Sequence, residues 1–394
     1  MSHVLDMPTS APTQEETLYW LALRMVPGLG TLGSLRLLEK MKSPAVIFRA
    51  SASELEATGL SATQARNITS GCSFDDAVEQ QQKLLHIGAQ LISIHDARYP
   101  ARLREIFDPP LLLFALGNPE LMASHSIAIV GTRRPTPYGM AASERLSADL
   151  AKAGLTIVSG MARGIDTAAH KAALAEDGAT VAVLGCGVDV LYPSENRRLY
   201  EEIRRRGLLL SEFPIGAPAY PQNFPIRNWI VSGLSLGVVV IEVAQHSGSA
   251  ITAKLAMDQG REVFAVPGNI TSKMSWGPNL LIKDGAKLVQ EWTDVTNELP
   301  VPVRRDLVSR AQQKILLEAG EAVLPRESQE NEEPQKALAR KLLQHLQVDV
   351  PQQLDTLLES FEGFSSSELI GALFDLQMSG LVRQLPGRNF VKVW

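Results

Sequence analysis

Two stretches decide the fold: Ser126-Ile-Ala-Ile-Val-Gly-Thr-Arg133 and Thr156-Ile-Val-Ser-Gly-Met-Ala-Arg-Gly-Ile-Asp-Thr-Ala-Ala-His170. Each begins as a short apolar, β-branched run and breaks at a glycine, and a helical pattern follows. The same alternation recurs through the middle of the chain. Strands are predicted at Gln90–Ile94, Ser126–Val130, Thr156–Val158, Thr180–Leu184, Leu208–Leu210, Val238–Ile241 and Glu262–Val266. Helical spacing lies between them at Ala141–Ala153, Thr167–Ala175, Arg197–Arg206 and Ala250–Gln259. Continuously apolar strands alternating with helices imply a mostly parallel sheet covered on both faces. Residues 86–298 are therefore predicted to form a Rossmann-like, doubly wound α/β domain.

Three further segments flank it. Residues 1–85 read as helical: Leu18–Met25 and Leu32–Met41 are joined by Val26-Pro-Gly-Leu-Gly30, which resembles a helix-hairpin-helix. The pattern partly recurs at Ala57-Thr-Gly-Leu60 before Ala62–Ile68. Such turns either offer amides to a phosphate or simply pack. Residues 299–334 carry a helical stretch (Leu307–Leu317), several prolines and a run of glutamates, which suggests an acidic linker. In 335–394, helices are predicted at Gln335–Leu346 and Gln352–Ser360, and Ser365-Ser-Ser-Glu368 is a capping box opening a third. Leu381–Leu385, a turn at Pro386-Gly387 and Asn389–Val393 complete a winged helix that serves DNA, a protein partner or packing alone.

Composition sets the outer limits. The 394 residues, 45% hydrophobic and 21% charged, suit roughly two to three globular domains and exclude disordered, collagen-like and disulfide-stapled chains. Cys72 and Cys186 lack paired or zinc-ligand spacing. Met1–Gln14 has no signal-peptide pattern, and Leu111–Leu116 and Gly237–Ile241 are far shorter than a membrane span. A cytoplasmic protein without membrane association is expected. The formal net charge of −5 argues against nucleic-acid binding only while it is averaged. By segment it is −3 over residues 1–120, +3 over 121–290, −5 over 291–333 and zero over 334–394.

In an open parallel sheet, ligands bind beyond the carboxyl ends of the strands. Those ends read Gly131-Thr-Arg-Arg134, Ser159-Gly160, Gly185-Cys-Gly187, Ser211-Glu212, Glu242 and Pro267-Gly268, with Ser247-Gly-Ser249 opening the next helix. Repeated small residues at helix starts let backbone amides approach an anion. Arg133 offers a fork of donors suited to phosphate, or an ion pair to a neighbouring helix. Asp166 and His170 are either an acid–base or metal pair, or a helix cap beneath a packed histidine. Phe224-Pro-Ile-Arg-Asn-Trp229 lies in a Pro-rich loop, where Phe224 stacks a base or plugs the core. There is no Walker A loop and no Gly-x-Ser-x-Gly elbow, and Gly185-Cys-Gly187 lacks the third glycine and the distal acid of a dinucleotide fingerprint. No cofactor and no resident metal are expected.

These motifs closely resemble the DNA-processing protein DprA (Smf) family. The matching stretches are Ile129–Arg133 with Tyr138-Gly139, Val158–His170, Val183–Asp189 with Tyr192-Pro193, Leu210–Glu212, Phe224–Asn228, Ser247–Ser249 and Ala265–Gly268, in family order over about residues 90–290. The resemblance implies a non-enzymatic protein that binds single-stranded DNA in natural transformation and loads the recombinase RecA onto it. It also implies a homodimer through the Rossmann-like domain, a SAM-like helical N-terminal domain and a winged helix. By position, Gly131, Thr132 and Arg133 hold a phosphate, Ser247, Gly248 and Ser249 line the same pocket, and Phe224 stacks a base. Ser159, Gly160, Arg163, Arg227 and Asn228 complete the expected DNA-contacting set. Trp229 replaces a common family arginine and Ser194 a lysine, a charge that Arg197 or Arg198 is placed to supply. The rival reading is a nucleotide-processing hydrolase on a similar fold, with Glu212, Glu242 and Asp166 as its strand-end carboxylates.

Overall fold

A computed structural model describes residues 13–244, 248–310, 334–346, 351–361, 364–378, 381–385 and 387–392. It divides into two compact units, one ending at Leu307 and the other beginning at Val308.

The first unit opens with six helices: α1 (Gln14–Met25), α2 (Gly30–Met41), α3 (Pro44–Arg49), α4 (Ala52–Ala57), α5 (Ala62–Thr69) and α6 (Phe74–Ile87). Their starts are written in the sequence. Thr13, Ser51 and Ser61 each form a reciprocal capping box with the residue three positions on. Gly28 and Gly30, with φ of 76° and 66°, make the turn between the first two helices. The buried faces of these helices (Trp20, Leu21, Leu37, Leu84) join one apolar core with strand residues such as Leu91, Leu113 and Val181. The helical region is thus packed onto the sheet.

That sheet has nine strands: β1 (Gln90–Ser93), β2 (Leu112–Gly117), β3 (Ser126–Val130), β4 (Thr156–Ser159), β5 (Thr180–Val183), β6 (Leu208–Ser211), β7 (Gly237–Val240), β8 (Glu262–Ala265) and β9 (Lys287–Leu288). Their spatial order is β1-β2-β6-β5-β4-β3-β7-β8-β9. The run from β6 to β9 is parallel, and β2 joins β6 antiparallel with β1 antiparallel to β2. The central strands are buried along their whole length, as apolar runs covered by helices must be. α7 (Ala101–Arg104) lies between β1 and β2, and the crossovers carry α8 (Pro137–Lys152), α9 (Ile165–Ala175), α10 (Arg197–Arg206), α11 (Asn223–Leu234) and α12 (Gly248–Asp258). This is the predicted doubly wound architecture. β3 lies between β4 and β7, so the winding direction reverses there and opens a crevice at the strand ends.

In the first unit, the differences from expectation include β2 and the start of α11. β2 falls on the apolar run Leu111–Leu116 and pairs antiparallel in the sheet. The segment Phe224–Trp229, expected to be a loop, is the start of α11. Pro225 fits there because the first-turn amides of a helix lack intrahelical partners, so a missing N–H costs little.

The second unit has helices Pro334–His345, Leu354–Ser360 and Ser366–Met378, and strands β10 (Gln352–Gln353), β11 (Val382–Leu385) and β12 (Asn389–Lys392). The strands form a three-stranded antiparallel sheet with β12 central. Ser365 and Glu368 make the expected capping box. Leu338, Leu342, Leu369, Leu373 and Phe390 form a core of their own, giving the winged-helix fold. Most of the expected acidic linker, 311–333, lies outside the described residues.

Candidate nucleic-acid interface

The crevice is built on the ends of β3, β4, β5 and β7. Across the reversal point, the Thr132 amide donates to Glu242 O (2.6 Å), and the Ile165 amide donates to Thr132 O (3.3 Å). These bonds turn the chain after Gly131 so that Arg133 leaves the sheet exposed. Glu242 is buried and committed: it accepts from the Thr136 amide (2.8 Å) and from Thr136 Oγ1 (2.5 Å), bracing the residue that caps α8. Gly164, at φ 76°, lies against Thr132 O, so a side chain at this position meets both strain and collision.

Arg133 lies over the Phe224 ring, with Cζ 5.2 Å from its centroid. Arg227 Cζ approaches the same ring at 6.0 Å, and Tyr192 leans against it with centroids 5.5 Å apart and planes at 36°. Phe224 is only partly buried and rests on Gly185, while Asn223 Nδ2 donates to Gly185 O (3.0 Å) and anchors the helix start. An exposed guanidinium, a phenyl ring and the partly exposed Tyr192 therefore meet at one place. Such a surface can pair a phosphate and stack a base.

Arg227 is different from Arg133. It is buried, its Nη1 is 3.8 Å from Asp166 Oδ2, and it fills the space that a Cβ at Gly160 would need. Asp166 accepts from the Gly160 amide (3.1 Å) and the Ala162 amide (3.3 Å), holding the loop after β4 rather than the N-cap of α9, which is Gly164. Burial raises the Asp166 pKa, opposed first by Arg227 and then by those amides. His170 makes no bond to Asp166. Its Nδ1 lies 2.7 Å from Thr180 Oγ1, and that hydroxyl spends its proton on Ile157 O (2.8 Å), so His170 is assigned as the donor at Nδ1. Burial, and secondarily Arg227, pushes its pKa down to about 3, so the ring is neutral at physiological pH. Among the described residues no group of three or more metal-ligating side chains converges.

The remaining expected residues are spread out. Ser159 is wholly buried, and its hydroxyl donates to Ile129 O (2.6 Å). Arg163 is exposed and paired with Glu195. Asn228 Nδ2 donates to Gly248 O (3.4 Å), joining α11 to the start of α12. Gly248 is exposed with open space beside its Cα. Ser247 and the side chain of Ser249 lie outside the described residues. Trp229 turns away from Phe224, donating through Nε1 to Asp108 O (3.2 Å). Tyr192 belongs to a sequence motif, yet the sequence alone shows no role for it. Its signal was an aromatic residue on the loop after β5, on the same side of the sheet as Gly185.

Comparisons with known proteins agree with this architecture. A family model described as DNA recombination-mediator protein A matches residues 90–300, and one described as DprA winged helix domain matches residues 326–388. Protein Smf of Synechocystis sp. is 33% identical over 404 aligned positions, spanning 95% of this chain and 98% of its own length. DNA processing protein DprA of Streptococcus pneumoniae is 47% identical over 206 residues, 52% of this chain and 73% of that protein. The X-ray structure of DprA from Streptococcus pneumoniae matches with a TM-score of 0.65 at 37% identity, covering 74% of this chain and 99% of that one. The chain belongs to the DNA recombination-mediator protein A (DprA/Smf) family.

Proposed function

We propose that this chain binds single-stranded DNA in the crevice at the ends of β3 and β7 and acts as a mediator of DNA recombination and transformation. The observation that carries the reading is the meeting of exposed Arg133 with Phe224 and Tyr192. Arg133 pairs the phosphodiester, and the rings receive a base. Binding of this kind tolerates sequence and weakens with salt, because phosphates supply most of it. The names of the relatives, DNA processing protein, support the same direction.

Loading of RecA, pairing of two copies through the Rossmann-like domain and a cytoplasmic location extend the reading. They rest on the family resemblance. Among the described residues no helix is long and apolar enough to cross a membrane. Binding is favoured over hydrolysis because Asp166 and Glu242 are occupied in holding loops, and Glu212 contributes only a lone carboxyl.

The test compares labelled single- and double-stranded DNA across a salt series, using the wild type and Arg133→Ala. The wild type prefers the single strand, and the variant loses about 1.5–3 kcal/mol of affinity, the worth of a charged hydrogen bond. Equal binding by the two proteins overturns the crevice assignment. Hydrolysis of a nucleoside monophosphate at enzyme-like rates favours the rival reading.

A further inference from the structure

One helix carries more charge than the crevice uses. α10 holds five arginines and two glutamates, which equals the entire basic excess of residues 121–290. Leu199, Tyr200 and Ile203 form its buried face. The opposite face turns Arg197, Arg198, Arg204 and Arg205 to solvent.

The acids of the helix are already matched. Glu202 pairs with Arg206 (2.9 Å), which also meets Asp177 (2.6 Å), and Glu201 lies 3.9 Å from Arg204. Arg197, Arg198 and Arg205 have no acidic partner within 4.0 Å among the described residues. Arg197 and Arg198 occupy the first turn with no acid beside them there, although the helix dipole disfavours cations at that end. Arg197, Arg198, Glu201, Glu202, Arg204 and Arg205 together line one open depression on this face.

The position of the helix suggests the anion. The turn Ser194–Asn196 that opens α10 is tied to the crevice loop: Glu195 pairs with Arg163, and Asn196 Nδ2 donates to Met161 O (2.9 Å). The unpaired arginines thus begin at the crevice rim. They continue to Arg205, about 12 Å along the axis at the helical rise per residue. A single phosphate ligand calls for donors that converge on one point. Arginines strung along a line fit a polymer of regularly spaced anions.

We propose that the exposed face of α10 is a second phosphate track, which takes the backbone of a single strand beyond the part held in the crevice. The proposal rests on the crevice reading above and adds its direction: the strand runs from Arg133 and Phe224 toward Arg205.

The test uses the full chain and the double variant Arg204→Gln/Arg205→Gln, which leaves Arg197 and Arg198 at the crevice rim in place. The probes are labelled oligothymidylates of about 5 and about 16 nucleotides, which bracket the site sizes of single-strand binders. Both side chains are exposed, so the fold is retained, and unchanged affinity for the short probe verifies it. For the long probe, affinity falls roughly fivefold, and the slope of log affinity against log salt becomes shallower by about 1.4, the value for two lost single-strand phosphate contacts. Unchanged affinity for the long probe overturns the track, including the case in which α10 instead receives an acidic protein. Equal loss on both probes overturns it as well, since the arginines then belong to the crevice. Failure of the wild type to bind the short probe is a different result, and sinks the crevice reading itself.

Discussion

At the residue scale, the same residue types do different work according to burial. Arg133 and Arg227 both approach Phe224, yet one is exposed and the other is sealed beside Asp166. Exposure leaves Arg133 able to exchange the ring for a phosphate. A cation over an aromatic face is worth about 0.5–2 kcal/mol, so a ligand that draws Arg133 away must return a comparable contact to the ring. A base does so and a bare polyanion does not. Glu212 shows the opposite effect of burial. Its Oε1 lacks a partner, and burial lifts its pKa to about 7, with Arg24 opposing and Asp108 reinforcing the shift. The carboxyl therefore binds its proton more tightly in the fold than in the unfolded chain, where the ordinary value is 4.5. Stability contributed by that proton is complete below the ordinary value and is lost as pH rises through about 7. Glu212→Gln is expected to stabilise the first unit by about 1–2 kcal/mol at pH 8 and to change little at pH 4, read from urea unfolding at each pH. A stabilisation independent of pH disproves the shift.

At the scale of the element, caps and crossings decide what the crevice looks like. Thr136 accepts the Gly139 amide (3.2 Å) and bonds Glu242 through both its amide and its hydroxyl, coupling the start of α8 to the end of β7. Thr136→Ala removes the cap and one partner of a buried carboxylate. A loss of about 2–3 kcal/mol is expected by chemical denaturation, together with weaker single-strand binding. A change below about 0.5 kcal/mol counts against the coupling. Six strands of the parallel run, β3 to β8, were legible as short apolar segments between helical patterns, whereas the two-residue β9 was not. β2 was not, because an apolar run flanked by Pro109, Pro110 and Gly117 carries no mark of antiparallel pairing. α11 was hidden by Pro218, Pro221 and Pro225, since local composition does not separate a proline in a first helical turn from one in a loop. In the crevice, the glycines and Arg133 were readable from their places after strands. The burial of Ser159 and Arg227 was not, because it depends on which neighbouring element occupies the space.

At the scale of the molecule, two compact units imply two melting events. The residues packed with Trp20 and Val181 form one cluster, and those around Leu342 and Leu373 form another. Scanning calorimetry of the full chain should show two transitions. Leu373→Ala, at a cost of about 2–5 kcal/mol, should lower only the one belonging to the winged helix. A single transition displaced as a whole refutes the independence of the cores. The continuity of the larger core has an evolutionary consequence. A coding sequence cut near residue 85 separates Leu37 and Leu84 from the strands they cover, so the N-terminal helices and the sheet must be inherited together. Among the described residues, the cluster around Leu373 shares no member with the one that joins the helices to the sheet, so gene rearrangement can gain or lose the winged helix without rebuilding the sheet and its helices.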